Sequence, residues 1–505
     1  MRSVPLSVLI WLPAAVALVG AFGPRRAAPR IALAGTFGAL GLAVAYALDF
    51  KTGHGLQFAT DHAWISQLGI HYKLGVDGLN LFLILLTVVV FAAAVGWANL
   101  REWERPGLFY FQLCLAESAV LGAFTAQDLA LFVGFFDLML IPFYFLIGTW
   151  GSGPDRVRAT TKLVIYTLVG SLFMLAAAIA TAVLATPTGG HISFVLSDLA
   201  RLPLSNASQD WIFLCFAAAF LVKMPAFPLH GWLPDGYRAM PIPAVAAFSG
   251  VLSKVAAYGF LRIALPLFPH ASAHYQTLLM LIALASILYG SASAFTTTNA
   301  RLVVGYSSMA QLGFITLGIF ALQPEGAQGA LLQMVNHGLV TAPLFFIVAL
   351  LAARAGGSED IREMGGLAFR APVLAALFLI VALATLAMPG STNFAGEFLI
   401  LLGAFKAKIV IAIVAFSGVA LASVYMLRAF IRMMHNRVGP NAESREISLR
   451  AGVLLVPLVL AILALSVDPQ VALKRSEPEA KASIAPAVQA AAGSSPTAVG
   501  QAGGP

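Results

Sequence analysis

Residues 211–232, WIFLCFAAAFLVKMPAFPLHGW, form an apolar run that is long enough to cross a membrane and that nevertheless contains Lys223. The next apolar run, residues 244–261 (AVAAFSGVLSKVAAYGFL), contains Lys254. A charge at the centre of a bilayer costs roughly 2.5–3.5 kcal/mol on insertion scales. The two lysines therefore indicate a membrane protein that uses buried charges or neutralises them in pairs.

Two carboxylates lie in apolar runs of the same kind. Asp137 lies within residues 129–148 (LALFVGFFDLMLIPFYFLIG), and Glu397 lies within residues 385–405 (TLAMPGSTNFAGEFLILLGAF). Ionisable residues inside membrane spans commonly mark ion pathways and proton relays. These four side chains are therefore the first candidates for a function.

The composition excludes a soluble protein. The chain has 505 residues, of which 60% are hydrophobic and 10% are charged, whereas soluble domains carry about 25% charged residues. Apolar runs of about 20 residues recur from end to end, and they do not alternate as the strands of a β-barrel would. We therefore predict an all-α polytopic membrane protein with about fourteen transmembrane helices. The predicted spans lie near residues 4–22, 31–50, 79–98, 109–127, 129–149, 161–185, 211–229, 242–268, 275–297, 302–322, 328–353, 371–403, 409–433 and 450–467.

The distribution of basic residues predicts the orientation of the chain. If the N-terminus lies outside, most of the 30 lysines and arginines fall in loops on the inner side, as the positive-inside rule requires. The net charge of +8 is therefore a topology signal and does not indicate a nucleic-acid ligand. The first apolar run has no clear cleavage site, so we interpret it as a retained helix. Both termini are predicted on the outer side.

Two of the predicted spans contain helix breaks beside a charge. Lys223 precedes Pro225, and Glu397 follows the sequence Met388-Pro389-Gly390. Proline breaks helices, and broken helices at membrane depth are typical of transporters built from inverted repeats. The breaks lie in spans 7 and 12, and an offset of five spans reverses the crossing direction. We therefore predict two inverted five-helix repeats, spans 4–8 and 9–13.

This pattern divides the chain into five segments. The C-terminal segment is rich in Ala, Pro, Gly and Ser without apolar periodicity, so we expect it to be disordered. The predicted segments are residues 1–108 (helices 1–3), 109–268 (first repeat), 275–433 (second repeat), 450–469 (helix 14) and 470–505 (tail).

The buried groups have the chemistry of a proton relay. Asp137 is the natural counter-ion of Lys223, and a lysine held between burial and a carboxylate is able to load and release a proton. Lys254 lies among small residues that leave room for close packing or water. His337, in LLQMVNHGLVTAPLFF, is suited to relay protons between Lys254 and Glu397, because imidazole titrates near neutral pH.

Three further polar residues have supporting or structural interpretations. Glu117 is another acid within a span, which either supports Asp137 or faces a partner protein. His230 and Asp235 follow the break after Lys223, where they either line a proton entry path or fix the loop. The alternative for every buried charge is a static structural role.

The chain carries no motif for a redox or nucleotide cofactor. It has two cysteines, Cys114 and Cys215, and no Gly-rich phosphate loop, haem-type histidine pair or HExxH motif. We expect no cofactor or metal in this chain, so any redox or ATP-driven step belongs to another subunit.

Several motifs in this order resemble one membrane-protein family. FFDLMLIPFYFLIG, FLVKMPAFPLHGWLPDGYRAMPIP, GVLSKVAAYGFLRI, RLVVGYSSMAQLGF, QMVNHGLVTAPLFF and MPGSTNFAGEF are similar to successive signatures of the antiporter-like subunits of complex I, the proton-pumping NADH:quinone oxidoreductase. Mrp cation/proton antiporters and membrane-bound hydrogenases share the superfamily. The resemblance runs to about residue 470.

The resemblance implies a function, a location and partners. It implies a hydrated proton path whose members are Asp137, Lys223, Lys254, His337 and Glu397. It also implies a bacterial inner membrane, neighbouring antiporter-like subunits and a peripheral arm that carries flavin, iron–sulfur clusters and quinone chemistry. The flavin and the iron–sulfur clusters would be bound by the partner subunits, and this chain would bind neither.

The sequence departs from the family pattern at two positions. Asp137 stands where glutamate is usual, so the pair with Lys223 is expected to be longer or bridged by water. Gln311 stands where histidine is frequent, and an amide orients water but carries no charge. Two alternative functions stay open: a subunit of a multisubunit Na⁺(K⁺)/H⁺ antiporter or hydrogenase, and a structural spacer with inert charges.

Overall fold

The computed structural model describes residues 4–187, 190–435, 437–443 and 445–493. Apart from one short hairpin, its regular elements are helices. The α-helices are α1 (Leu6–Phe22), α2 (Ala28–Asp49), α3 (Leu81–Ala98), α4 (Pro106–Thr125), α5 (Leu129–Leu138), α6 (Leu140–Trp150), α7 (Arg156–Ala185), α8 (Leu196–Leu199), α9 (Asn206–Lys223), α10 (Leu233–Ala239), α11 (Ile242–Ala247), α12 (Ser253–Gly259), α13 (Leu265–Leu267), α14 (Pro269–His274), α15 (Gln276–Thr296), α16 (Ala300–Phe320), α17 (Pro324–Arg354), α18 (Pro372–Thr385), α19 (Thr392–Ala407), α20 (Ile409–Met434), α21 (Leu449–Val467) and α22 (Gln470–Gly493).

The helical membrane class is confirmed. Within the residues that the structure describes, 11 helical segments are long and apolar enough to cross a membrane. Two shorter apolar helices are α1 and α18. The total of fourteen crossings, the inverted repeats and the segment boundaries up to residue 469 stay predictions, because helix length and composition do not test them.

Both expected helix breaks are present. The helix α9 ends at Lys223, and α10 begins only at Leu233. Within this first break, the Trp232 indole donates to the Val222 carbonyl at 3.0 Å, and the Ser286 hydroxyl of α15 accepts from the Phe227 N–H at 2.9 Å. These bonds replace helical ones that the prolines remove.

The second break separates α18 from α19. Its left-handed residues are Ala387 and Gly390, with φ of 52° and 89°. The Asn336 amide of α17 donates to the Thr392 carbonyl at 2.6 Å, so a neighbouring helix holds the start of α19. The Glu397 side chain is thereby placed in the second turn of α19, directly after the break.

The central helices are the most completely buried ones. Within its most apolar stretch of 18 residues, the segment from Ile242 to Leu267 buries every residue, whereas the corresponding stretches of α21 and α2 bury 28% and 39% of their residues. The corresponding stretches of α16 and α17 bury 94% and 89% of their residues. Polar side chains on these central helices therefore face protein, and the outer helices present large apolar side chains to lipid.

The structure contains a β-hairpin that the all-α prediction missed. Strands β1 (Gln57–Ile65) and β2 (Ile70–Val76) pair antiparallel through a 3₁₀ turn at Ser66–Leu68. Gly69 closes the turn with φ 64°, a conformation that favours glycine. The Asp128 side chain accepts from the His71 N–H at 3.0 Å, which attaches the hairpin to the start of α5.

The expectation of a disordered tail from residue 470 is wrong for the residues that form α22. The small residues that looked featureless form one buried stripe along this helix: Ala472, Ser476, Ala480, Ser483, Ile484 and Ala487. The stripe packs against α13, α14 and α17, and the Ser483 hydroxyl donates to the Leu261 carbonyl. Residues 494–505 lie outside the described residues.

Candidate functional site

Lys223 and Asp137 lie near each other at two irregular helix ends. Pro142 in α6 has no N–H for the Leu138 carbonyl, and the helix is interrupted at Met139, directly after α5. The Lys223 side chain is 3% exposed at the last residue of α9. Its Nζ donates to the Phe136 carbonyl at 3.1 Å and lies 4.4 Å from the centre of the Phe136 ring.

The Asp137 carboxylate interacts with Lys223 without forming a direct ion pair. It lies near the Ser171 hydroxyl of α7 and within the electrostatic range of the Lys223 ammonium, and its Oδ1 is buried without a protein partner. The salt bridges among the described residues do not include this pair. Aspartate is one methylene shorter than glutamate, so its carboxylate reaches less far towards Lys223. The ammonium donates to the Phe136 carbonyl instead.

Lys254 is fully buried between two π-helical stretches, Phe248–Leu252 and Phe260–Ala264. Its Nζ donates to the Ser249 carbonyl at 2.5 Å. π-Turns leave such carbonyls without their ordinary helical partner and occur frequently at functional sites. The ammonium is therefore held by backbone oxygen and has no carboxylate partner among the described residues.

His337 lies against the same π-helical stretch. It is 2% exposed on α17, where the Lys254 charge acts on it, and its Nδ1 is buried without a protein partner. The close approach depends on two glycines, because a Cβ on Gly338 would lie 2.5 Å from the Gly250 carbonyl oxygen. The structure thus places His337 beside Lys254, and its part in a relay towards Glu397 stays a prediction.

Glu397 is joined to a chain of side-chain amides. The Gln311 Nε2 donates to Glu397 Oε1 at 2.7 Å, and the Gln333 Nε2 donates to Gln311 Oε1, also at 2.7 Å. Glu397 is 3% exposed, and its Oε2 has no protein partner. Gly396 makes room for this chain, because a Cβ there would lie 2.3 Å from the Gln333 side-chain oxygen.

Serines on α16 lie between the surroundings of Lys254 and those of Glu397. The Ser249 hydroxyl, in the residue whose carbonyl binds Lys254, shares a 2.9 Å hydrogen bond with Ser308. Ser308 lies three residues before Gln311, so both side chains share one face of α16. The neighbouring Ser307 bonds the Tyr425 hydroxyl at 2.8 Å. Polar groups therefore extend along α16 from Lys254 to Glu397.

The supporting residues occupy different places. Glu117 is fully buried within the chain, so the interpretation that it faces a partner protein is wrong, and a supporting role for Asp137 stays a prediction; neither carboxylate oxygen has a partner among the described residues. Asp235 forms a 2.7 Å ion pair with Lys162, which fixes the loop after the first break. The His230 ring lies 4.6 Å from that of Tyr289 and 5.8 Å from that of Phe227.

Sequence reasoning missed some of the polar groups. Ser308, Gln333 and Tyr425 were not candidates, although Gln333 lies four residues before His337 on one helical face. It also missed the ion pair in which Arg262 contacts both oxygens of Asp77 at 2.6 Å. Single serines and glutamines are common in membrane helices, so only the polar spacing within α16 and α17 was a usable signal.

The comparisons with known proteins agree with this architecture. A family model described as NADH:quinone oxidoreductase/Mrp antiporter, transmembrane, matches residues 126–442. NADH-quinone oxidoreductase subunit M of Escherichia coli K12 is 38% identical over 419 residues, which are 81% of this chain and 82% of that protein. The subunit M of Rhodobacter capsulatus is 34% identical over 481 residues, 92% and 93% of the two chains.

Solved structures show the same fold. A chain of respiratory complex I from Thermus thermophilus with bound NADH matches with a TM-score of 0.88 and 33% identity, covering 95% of this chain and 99% of that one. A chain of the Mrp complex from Dietzia sp. matches with a TM-score of 0.80 at 21% identity, over 96% and 98% of the two chains, which shows a shared fold alone. The chain therefore belongs to the NADH:quinone oxidoreductase/Mrp antiporter family of transmembrane subunits, within its subunit M group.

Proposed function

We propose that this chain is a proton-translocating membrane subunit of a respiratory NADH:quinone oxidoreductase. The observation that carries the proposal is the row of buried acids and bases across the central helices, with serine and glutamine side chains of α16 hydrogen-bonded at both ends of the stretch from Lys254 to Glu397. The subunit M relatives and the complex I fold support the same assignment.

The proposed route begins at Asp137 and Lys223. Redox chemistry in other subunits changes the electric field on the pair, and the Lys223 ammonium then leaves the Phe136 carbonyl and passes its proton towards Lys254. Carbonyl oxygen stabilises an ammonium but takes no proton, so water must carry the proton between the two lysines. From Lys254 the proton continues to His337 and Glu397.

The amide pair in this route is neutral. Gln311 orients Glu397 by donating to one carboxylate oxygen, which leaves the other oxygen free to accept a proton from water. An amide does not titrate, so Gln311 and Gln333 align the final acceptor without carrying charge. This arrangement is the proposed substitute for the histidine that the family frequently has at residue 311.

The partners and cofactors of the complex are also proposals. We infer a bacterial inner membrane with both termini on the periplasmic side, neighbouring antiporter-like subunits, and a peripheral arm that carries flavin and iron–sulfur clusters. Purification of the tagged chain in mild detergent tests this inference. We expect flavin and iron–sulfur absorbance to co-purify, whereas a small assembly of membrane subunits alone would favour a cation/proton antiporter.

Two substitutions test the route. Lys223→Met and Glu397→Gln remove the titrating group at nearly constant volume, so each is expected to abolish or greatly reduce proton pumping coupled to quinone reduction. The measurement is proton uptake by proteoliposomes that contain the whole complex, with assembly checked on a native gel.

Lys406→Met is the matched control. Lys406 pairs with Glu325 at 2.5 Å at an exposed site, and exposed pairs contribute about 0–1 kcal/mol to stability. We expect normal pumping in this variant. Normal pumping in both Lys223→Met and Glu397→Gln would overturn the proposed route.

A further inference from the structure

A groove that the proton route does not use lies at the edge of the molecule. It has a volume of about 730 Å³, within the range of roughly 300–1,000 Å³ that is usual for small-ligand sites. The helix α3 packs against both α2 and α21 and forms the floor between them. Gly96 shapes this floor, because a Cβ there would lie 2.5 Å from the Leu454 side chain.

The groove has one basic end and otherwise apolar walls. Arg30 and Arg450, from the first turns of α2 and α21, lie at the same end. Both are exposed, and neither guanidinium has a hydrogen-bond or ion-pair partner among the residues that the structure describes. Two unpaired cations from different helices therefore converge where an anion would bind.

The backbone adds to the positive potential at this end. The N-termini of α2 and α21 both lie there, and helix N-termini carry a partial positive charge that favours anions. The C-terminus of α3 also lies at this end, and its partial negative charge opposes that potential. Two guanidinium charges and two helix N-termini outweigh one helix C-terminus, so the net field at the groove end favours an anion.

The rest of the groove suits a hydrocarbon chain. Leu33 and Phe37 follow Arg30 along one face of α2, and Val453 follows Arg450 on α21. From Arg30 to Phe37 the helix rises about 10 Å, so the apolar wall runs from the charged end into the depth of the membrane. Phe37 is 51% exposed and Val453 is 62% exposed.

We propose that this groove binds one anionic phospholipid, with its phosphate between Arg30 and Arg450 and an acyl chain along Phe37 and Val453. Basic pockets between transmembrane helices on the cytoplasmic side are known to hold acidic lipid headgroups, and the proposed topology places this end there. A neighbouring protein helix is the other possible occupant. The lipid is favoured by charge complementarity: the two unpaired guanidinium groups suit an anionic headgroup, and the exposed Phe37 and Val453 beyond them suit its hydrocarbon chain.

The experiment uses the whole complex in phosphatidylcholine nanodiscs that contain phosphatidylglycerol with a photoreactive diazirine on its acyl chain. We expect the label on peptides of α2 and α21. In Arg30→Gln/Arg450→Gln, the phosphatidylglycerol fraction for half-maximal labelling is expected to rise roughly 30-fold, the equivalent of about 1 kcal/mol for each arginine. Ala34→Trp, which fills the groove and keeps both charges, is expected to remove the label as well.

The matched control is Arg25→Gln/Arg26→Gln, which removes the same charge from the adjacent loop outside the groove and is expected to leave labelling unchanged. Equal labelling by a phosphatidylcholine probe, or unchanged labelling in Arg30→Gln/Arg450→Gln, would overturn the proposal. Crosslinks from this groove to a neighbouring subunit in place of lipid would also overturn it. Labelling does not depend on proton pumping, so a failure here leaves the proposed function untouched.

Discussion

The two buried lysines of the candidate site are held by neutral oxygen. The ammonium groups of Lys223 and Lys254 donate to the carbonyls of Phe136 and Ser249, at 3.1 Å and 2.5 Å. A carbonyl oxygen stabilises a cation less than a carboxylate does. Removing one partner of a buried salt bridge between a cation and a carboxylate costs about 3–5 kcal/mol. Neutral partners therefore leave each lysine freer to change its protonation state than a buried ion pair would.

The first residue-scale prediction concerns the amide that binds Glu397. Gln311→Leu removes a hydrogen bond to a group that is charged in the route, and such bonds contribute about 1.5–3 kcal/mol. We expect proton pumping by the complex to fall about tenfold, because Glu397 loses its orienting donor. The measurement is the initial rate of proton uptake in proteoliposomes.

Gln276→Leu provides the comparison for this variant. The Gln276 amide donates to the Ala321 carbonyl at 3.2 Å, away from the row. Its pumping rate is expected to match that of the unmodified complex. An equal loss of rate in both variants would mean that Gln311 contributes only to folding.

The chemistry of single residues was largely readable from the sequence. Lys223, Lys254 and Glu397 were evident because a charge in an apolar run is costly and therefore informative. The direct partner of each was not readable, since it depends on which helices pack together. The sequence alone had no means of showing that Lys223 contacts the Phe136 carbonyl and that the Asp137 carboxylate stays out of direct contact.

At the scale of elements, the approach of α17 to the π-helical stretch positions His337 beside Lys254. Gly338→Ala places a Cβ 2.5 Å from the Gly250 carbonyl oxygen, which requires the two elements to separate. Overpacking of this kind costs about 1–3 kcal/mol. We expect reduced pumping in a variant that retains every titratable group, measured as protons translocated per NADH oxidised.

Gly452→Ala on α21 is the corresponding control, because nothing lies within 4 Å of the Cβ it would add. Pumping in Gly452→Ala is expected to be normal. If the Gly338→Ala complex pumps as well as the Gly452→Ala complex, the close approach of α17 to the π-helical stretch is not needed for proton pumping.

The C-terminal helix α22 supports a second prediction at this scale. Ala480→Leu enlarges a residue that is 0% exposed in the buried stripe, so α22 is expected to dock less stably by about 1–3 kcal/mol. Lys481→Leu introduces the same leucine at the neighbouring position, where the Lys481 side chain is 52% exposed. This variant is expected to leave the docking of α22 unchanged. Limited proteolysis of the purified complex measures docking, and equal cleavage rates in the two variants would contradict the observed packing.

Two elements escaped sequence reasoning for the same physical reason. Strand β1 is mostly exposed, β2 is only partly buried, and α22 buries mainly alanine and serine, so none of them has the strong apolar periodicity that predicts an element. The long apolar helices were predictable because lipid imposes their length and composition. Short elements that depend on tertiary contacts lack such a constraint.

At the scale of the whole molecule, polar groups are concentrated at the centre and apolar groups at the edge. The most apolar 18-residue stretch of the segment that carries Lys254 buries every residue, while the corresponding stretches of α2 and α21 at the periphery bury under 40% of theirs. Buried polar atoms with no protein partner lie along the central row: His337 Nδ1, Gln333 Oε1, Asn336 Oδ1 and Glu397 Oε2. Buried water typically makes about three hydrogen bonds to such groups. We infer that water connects them.

The most direct test of this account is a cryo-electron microscopy map of the whole complex at a resolution that shows ordered water. The account predicts water within hydrogen-bond distance of His337 Nδ1 and Glu397 Oε2, in an unbroken file from Lys254 to Glu397. Continuous side-chain packing between these groups, with hydrocarbon separating Lys254 from Glu397 and no water between them, would contradict a proton path through this chain.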